Sequence, residues 1–206
     1  SDVCSSDLWL HDAGKMVTPV HIMDKATKLE TIFDRIALIK ARAEILKRDA
    51  YIAYMEAIVD DTADMQTTEQ QYLKTVARID DDMKFLESIN TGSEFMEDEK
   101  IDRLKLIARQ EIEIAGKPHP LITEEEAYNL SIRRGTITAE ERQVMNDHMV
   151  HTVNMLESMP WPKHLKNVPE YACGHHEKMD GKGYPRGILA GTMSVPARMM
   201  AVADIF

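Results

Sequence analysis

The chain has 206 residues, enough for one or two domains with a packed core. Hydrophobic content is 44%, aromatic content only 6%, and there are 14 methionines, a composition that favours helices packed with aliphatic and Met side chains. A formal net charge of -10 argues against non-specific nucleic-acid binding, because such a surface repels a phosphate backbone.

The 2 cysteines, Cys4 and Cys173, make no disulfide framework, so a reducing, cytoplasmic setting is expected. No run approaches the ~20 apolar residues needed to span a membrane, and no signal peptide is visible. Basic residues nevertheless gather locally in the last third, at Lys163, Lys166, Lys178, Lys182, Arg186 and Arg198, where a small anion could bind.

In chain order, residues 1–8 lack periodicity and read as a non-native scar outside the fold. A short apolar helix around His11-Asp12 is expected to end near Lys15 or Met16. Ile32, Ile36, Ile39, Ala43, Leu46, Ala50, Ala53 and Ala57 then alternate by four and three, a heptad seam. Tyr72, Val76, Ile79, Met83 and Leu86 repeat that spacing beyond a polar break at Asp60-Asp61-Thr62-Ala63-Asp64. An antiparallel helical hairpin over residues 28–59 and 66–89 follows, with one long dimerising helix as the alternative.

Asn90-Thr91-Gly92-Ser93 breaks the pattern, and a helix over 97–115 is expected to end at Gly116-Lys117-Pro118. Thr123 with Glu126, and Thr138 with Glu141, are capping-box patterns that open helices to about Arg134 and about Met159. A short helix near 164–174 leads to His175-His176, and Pro196 suits the first turn of a last helix carrying Asp204. No alternating strand pattern of useful length is seen, so the predicted fold class is all-α. The chain runs out at Ala203-Asp204-Ile205-Phe206 inside an apolar helical pattern and reads as a fragment cut at both ends.

The chemistry concentrates in a few positions. His175-His176-Glu177 precedes a glycine-rich turn, Asp180-Gly181-Lys182-Gly183-Tyr184-Pro185. Paired imidazoles suit a metal, and glycines let backbone approach a ligand. His11-Asp12 is a second unusual pair, and both side chains reach one cleft only if the helix end faces it. His148 shares a helix face with Val144, Met155 and Leu156, where a lone histidine is more often a core residue than a ligand. Asp204 follows Ala201-Val202-Ala203, and a carboxylate buried there needs a partner. His21, His119, His151 and His164 read as surface or supporting residues, and Cys173 is assigned no role.

The order His-Asp, a single His, His-His-Glu-x-x-Asp-Gly-x-Gly-Tyr-Pro and Ala-Asp-Ile-Phe resembles the HD-GYP domains of bacterial cyclic di-GMP phosphodiesterases. These are a branch of the HD metal-dependent phosphohydrolase superfamily. The resemblance covers residues 9–24 and 136–206. It implies an HD-type helical bundle of residues 9–27 and 117–206, with residues 28–116 as a long inserted hairpin. It implies metal ligands at His11, Asp12, His148, His175, His176 and Asp204, with Asp12 bridging two ions. Lys15 is similar to the family lysine on the scissile phosphate, and Lys182, Tyr184 and Arg186 fall in the expected substrate-binding region. Asp12 and Lys15 are the expected catalytic pair.

Two or three divalent ions are implied, with iron or manganese favoured and nickel, cobalt or zinc compatible with an imidazole and carboxylate set. Two metals about 3.5–4 Å apart activate water and clamp phosphoryl oxygens. The implied activity is hydrolysis of cyclic di-GMP to the linear dinucleotide or GMP. Alternatives are a hydrolase of another cyclic nucleotide and a non-catalytic binding regulator. The latter fits poorly with so full a set of ligand residues. An upstream sensor or receiver domain, a diguanylate cyclase partner and a homodimer are implied partners. The chain departs from the family in lacking the preceding helix that supplies another ligand, and in the stretch from Asp24 to Arg134, where the family has a short loop.

Overall fold

The computed structural model describes residues 8–59, 64–189 and 191–205. Residues 1–7 of the expected scar lie outside the described residues. The chain forms two compact units, residues 24–138 and residues 1–23 with 139–206. Among the described residues the structure is helical apart from one two-stranded hairpin, and the fold is all-α.

In the unit of residues 24–138 the first heptad seam becomes α2, Ile36–Val59, and the second becomes α3, Met65–Asn90; the short helix α1, Val20–Met23, belongs to the other unit. They run antiparallel, since Lys40 pairs with Glu87 while Lys47, further along α2, pairs with Asp80, earlier on α3, at 2.5 Å. Asp64 caps α3 by accepting the Thr67 N–H at 3.0 Å. Ile39 and Ala43 from α2 and Ile79, Leu86 and Ile89 from α3 are buried in one core with Leu104, Ile112 and Leu130.

Three expectations are corrected here. The first seam does not begin at Ile32, which is 98% exposed. Residues 28–35 are not helical, because Lys28 is drawn inward to donate through Nζ to the carbonyls of Leu130 (3.0 Å) and Ile132 (2.8 Å). The helix expected over 97–115 stops at Ala108 as α4, Asp98–Ala108. It is followed by β1, Glu111–Ile114, and antiparallel β2, Lys117–Pro120. Ala115 and Gly116 turn the hairpin with φ of 52° and 74°, the left-handed pair that a two-residue turn requires. The Thr123–Glu126 capping box forms as expected, but α5 is short, Glu124–Leu130.

In the other unit residues 8–10 are helical, residues 11–12 turn, and Ala13–Val17 form a 3-10 helix rather than the tail of an α-helix. The helix expected up to Met159 is two, α6 over Ala139–Asn146 and α7 over His148–Ser158. The 3-10 helix lies so close to α7 that a Cβ on Gly14 would stand 1.9 Å from the His148 carbonyl oxygen. Gly14 N–H donates to Thr152 Oγ1 at 2.8 Å, and that fully buried hydroxyl donates to His148 O at 2.9 Å. α8, Val168–Ala172, and α9, Val195–Ile205, complete the unit, with Gly174 and Ala197 in close contact. Val153, Leu156, Ala172 and Cys173 form its core, flanked by Leu10 and Trp161. No described helix is long and apolar enough to cross a membrane.

Candidate metal centre

Asp12 is the N-cap of the 3-10 helix, and His11 precedes it in the turn, so the chain end of the first helix does face the cleft. The two oxygens of Asp12 look in different directions. Oδ1 lies 3.3 Å from His148 Nε2 and 3.8 Å from His175 Nε2. Oδ2 lies 3.1 Å from His11 Nε2 and 2.5 Å from Lys15 Nζ. His11 Nε2 is in turn 3.5 Å from Asp204 Oδ1. The structure thus brings together Asp12, His148, His175 and His176 as one donor group, and His11, His175 and Asp204 as another. Within each group the donor atoms lie within 4.8 Å of one another.

The tautomers follow from the backbone. His11 Nδ1 is 2.7 Å from Leu8 O, His148 Nδ1 2.5 Å from Met145 O, and His175 Nδ1 2.7 Å from Ala172 O. A carbonyl oxygen only accepts, so each Nδ1 carries the proton and each Nε2 presents a lone pair inward. Second-sphere carbonyls of this kind orient metal-binding histidines. His148 Nε2, His175 Nε2 and Asp12 Oδ1 are buried with no hydrogen-bond partner. Three converging lone-pair donors without a proton among them repel one another unless a cation lies between. The donor set, imidazole and carboxylate without a thiol, fits a divalent transition metal.

The electrostatics agree. Burial works against ionisation of Asp12, but the Lys15 ammonium beside Oδ2 holds its carboxyl below the usual carboxylate range. His176 is pushed down to about 4, first by burial and then by the neighbouring His175 and His148, so it is neutral and able to ligate near pH 7. His148 and His175 are 3% exposed; of the residues expected on the His148 face, Leu156 is buried, whereas Met155 and Val144, the latter in α6, are exposed. Asp204 differs from the expected buried carboxylate: it is on the exposed side of α9, with His11 as its partner.

The expected substrate contacts are distributed unevenly. Lys15 is at the cluster. Tyr184 stacks on His176, with ring centroids 4.7 Å apart and planes 18° apart, and the peptide bond from Tyr184 to Pro185 is cis. Burial, then the negative charge of Asp204 and Asp12, raise the Tyr184 hydroxyl above its ordinary value. Lys182 is exposed, and the Arg186 guanidinium pairs with Glu157 at the end of α7. His21, His119, His151 and His164 are all exposed, in keeping with their bland reading. Cys173 is buried, and burial pushes its thiol up to about 11, away from the reactive thiolate.

Sequence reasoning overlooked Thr152 and Glu177. Thr152 is one helical turn after His148 and so shares its face. Glu177 directly follows the double histidine, and its buried carboxylate accepts two main-chain N–H groups.

A family model described as HD domain matches residues 107–206. Residues 107–206 are thus similar to an HD domain. The chain is 49% identical to a 3'3'-cGAMP-specific phosphodiesterase 1 of Vibrio cholerae over 39 residues, 19% of this chain and 9% of that protein. It is 35% identical to a cyclic di-GMP phosphodiesterase of Thermotoga maritima over 75 residues, 36% of this chain and 20% of that protein. It is 32% identical to the cyclic di-GMP phosphodiesterase response regulator RpfG of Xanthomonas campestris over 75 residues, 36% of this chain and 20% of that protein. The matched stretches thus span a fifth or less of these relatives. No solved structure is a significant match to the chain.

Proposed function

We propose that this chain carries an HD-GYP domain, a metal-dependent phosphodiesterase that hydrolyses cyclic di-GMP to the linear dinucleotide or GMP. The observation that carries the reading is Asp12 with its two oxygens turned to different Nε2 atoms, Oδ1 to those of His148 and His175 and Oδ2 to that of His11. His148, His175 and His176 would hold one divalent ion, His11 and Asp204 a second, and Asp12 would bridge them. Iron or manganese is the preferred pair. When bound, such ions supply an activated water and neutralise phosphoryl charge.

The chain's own residues account for the rest. Lys15 donates to Asp12 Oδ2 and, with a mostly free ammonium, is placed to share its charge with a scissile phosphate. Tyr184 offers a ring face beside His176 for a guanine or ribose. Lys182 and Arg186 would bind the distal phosphate, Arg186 after leaving Glu157.

We assign the chemistry to residues 9–27 and 117–206 and a docking or scaffolding role to residues 28–116; every candidate ligand falls in the first set. A sensor or receiver domain and a cyclase partner belong to the longer protein we envisage, with the response regulator among the relatives as support.

A second reading rests on a specific likeness, since one relative is named for 3'3'-cGAMP. The two are separated by giving the manganese- or iron-loaded chain equal amounts of cyclic di-GMP and 3'3'-cGAMP and following both by chromatography. Faster loss of cyclic di-GMP is expected. Preferential loss of 3'3'-cGAMP would move the specificity to the second reading, and loss of neither would remove the enzymatic one.

A further inference from the structure

The Gly-Tyr-Pro loop is closed at its neck by a bridge between Asp180 and Leu189. Gly181 and Gly187, with φ of 76° and 63°, turn its two ends. Asp180 Oδ1 accepts the Lys182 N–H at 3.0 Å. These contacts shape the loop but do not tie it to the histidines. Two others do. Tyr184 N–H donates to His176 O at 3.3 Å, and Glu177 reaches across. Glu177 Oε1 accepts the Arg186 N–H at 2.7 Å and Oε2 accepts the Ile188 N–H at 2.8 Å.

Glu177 is 5% exposed. A carboxylate this buried is costly unless both oxygens are satisfied, and here each takes a main-chain amide from the far limb of the loop. The fit leaves no slack. A Cβ on Gly183 would stand 2.4 Å from Glu177 Cα and 2.3 Å from Lys178 N, so the near limb lies directly on the Glu177 backbone. Besides the Tyr184 N–H bond to His176 O, the loop is therefore held by Glu177, below through its backbone and beyond through its side chain, and that residue adjoins His176.

We propose that Glu177 is the positioning residue that holds the Gly-Tyr-Pro loop, and with it the Tyr184 ring, against the His176 edge of the metal centre, setting how well the substrate fits there. The proposal rests on the phosphodiesterase reading for its kinetic consequence, but not for its structural one.

The experiment compares the full chain with Glu177→Gln and Glu177→Asp. Glutamine offers one acceptor and sets an NH2 donor against an amide donor; aspartate is too short to reach both amides. Amide exchange followed by mass spectrometry should speed up at least about tenfold over residues 181–188 in Glu177→Gln, and less in Glu177→Asp, with α7 and α8 unchanged.

With manganese and cyclic di-GMP, Glu177→Gln should raise KM about tenfold while kcat stays within about twofold. In a Tyr184→Ala background the same change should add less than about twofold, because the ring it positions is gone. Unchanged exchange over 181–188 would overturn the proposal, as would effects of the two substitutions that simply multiply. If no substrate is turned over, the activity reading fails and the exchange result alone decides the part played by Glu177.

Discussion

Each of His11, His148 and His175 donates its Nδ1 proton to a carbonyl three residues back, and this small repeated contact is what makes the centre. It fixes the ring, fixes the tautomer and leaves Nε2 bare. The same economy of space governs Gly14. An alanine there would press its Cβ to 1.9 Å from His148 O, which is main chain and cannot swing aside. Gly14→Ala should cost about 1–3 kcal/mol through overpacking and push His148 off the cluster. Thermal unfolding together with manganese stoichiometry checks this, and a variant that melts and binds metal like the parent would refute it. The candidate ligands that the structure brings together were legible as a chain order. Thr152 and Glu177 were not, because both act on main-chain groups, and a sequence does not say which amide a side chain will meet.

At the scale of elements, two largely buried cations organise the unit of residues 24–138. Arg42 on α2 donates to both oxygens of Glu126, at 2.6 and 2.7 Å, and Glu126 also completes the capping box of α5. Glu126 is 3% exposed, so removing its partner strands a buried charge. Arg42→Ala should lower unfolding stability by about 3 kcal/mol, whereas Lys47→Ala, which breaks more exposed pairs, should cost under about 1 kcal/mol. Urea denaturation of the two variants tests the contrast.

Lys28 is the second buried cation. Burial, helped by Lys100, pushes its ammonium down to about 8 from 10.5. Between those values the unfolded chain holds a proton that the folded chain has lost, so this group makes stability rise with pH from about 8 to 10.5 and leaves it flat below. The stability difference between the parent and Lys28→Met should therefore shift in the parent's favour over that window, as read by denaturation at pH 7.5 and 10. A difference independent of pH would exclude the linkage.

The heptads of α2 and α3 were readable because period and length agreed over several turns. The β1–β2 hairpin escaped, since Glu-Ile-Glu-Ile is too short to declare alternation and Ala115 gives no sign of a left-handed turn. The early stop at Ala108 escaped for the same reason.

At the scale of the molecule, the two units keep separate cores. Leu29, Ile39, Leu86, Leu104 and Leu130 belong to one, and Val153, Leu156, Ala172 and Cys173 to the other. A chain of residues 24–138 alone is expected to unfold cooperatively with a helical circular dichroism spectrum; a non-cooperative melt would show that its core is not self-sufficient. The helical class was visible from composition and periodicity, and the candidate site was proposed from motif order. The limits of the compact units, at Met23 and Thr138, had no such signal, because nothing in the sequence shows that Lys25 and Lys28 are buried.

Asp12 is the residue that faces both sets of candidate ligands. The most direct test of its role is product release from cyclic di-GMP by the manganese-loaded chain beside Asp12→Ala. Release of the linear dinucleotide or GMP by the parent is predicted, together with its loss by at least about a thousandfold in Asp12→Ala and an unchanged helical spectrum. Equal turnover by Asp12→Ala, or turnover by the parent that survives a chelator, would contradict it.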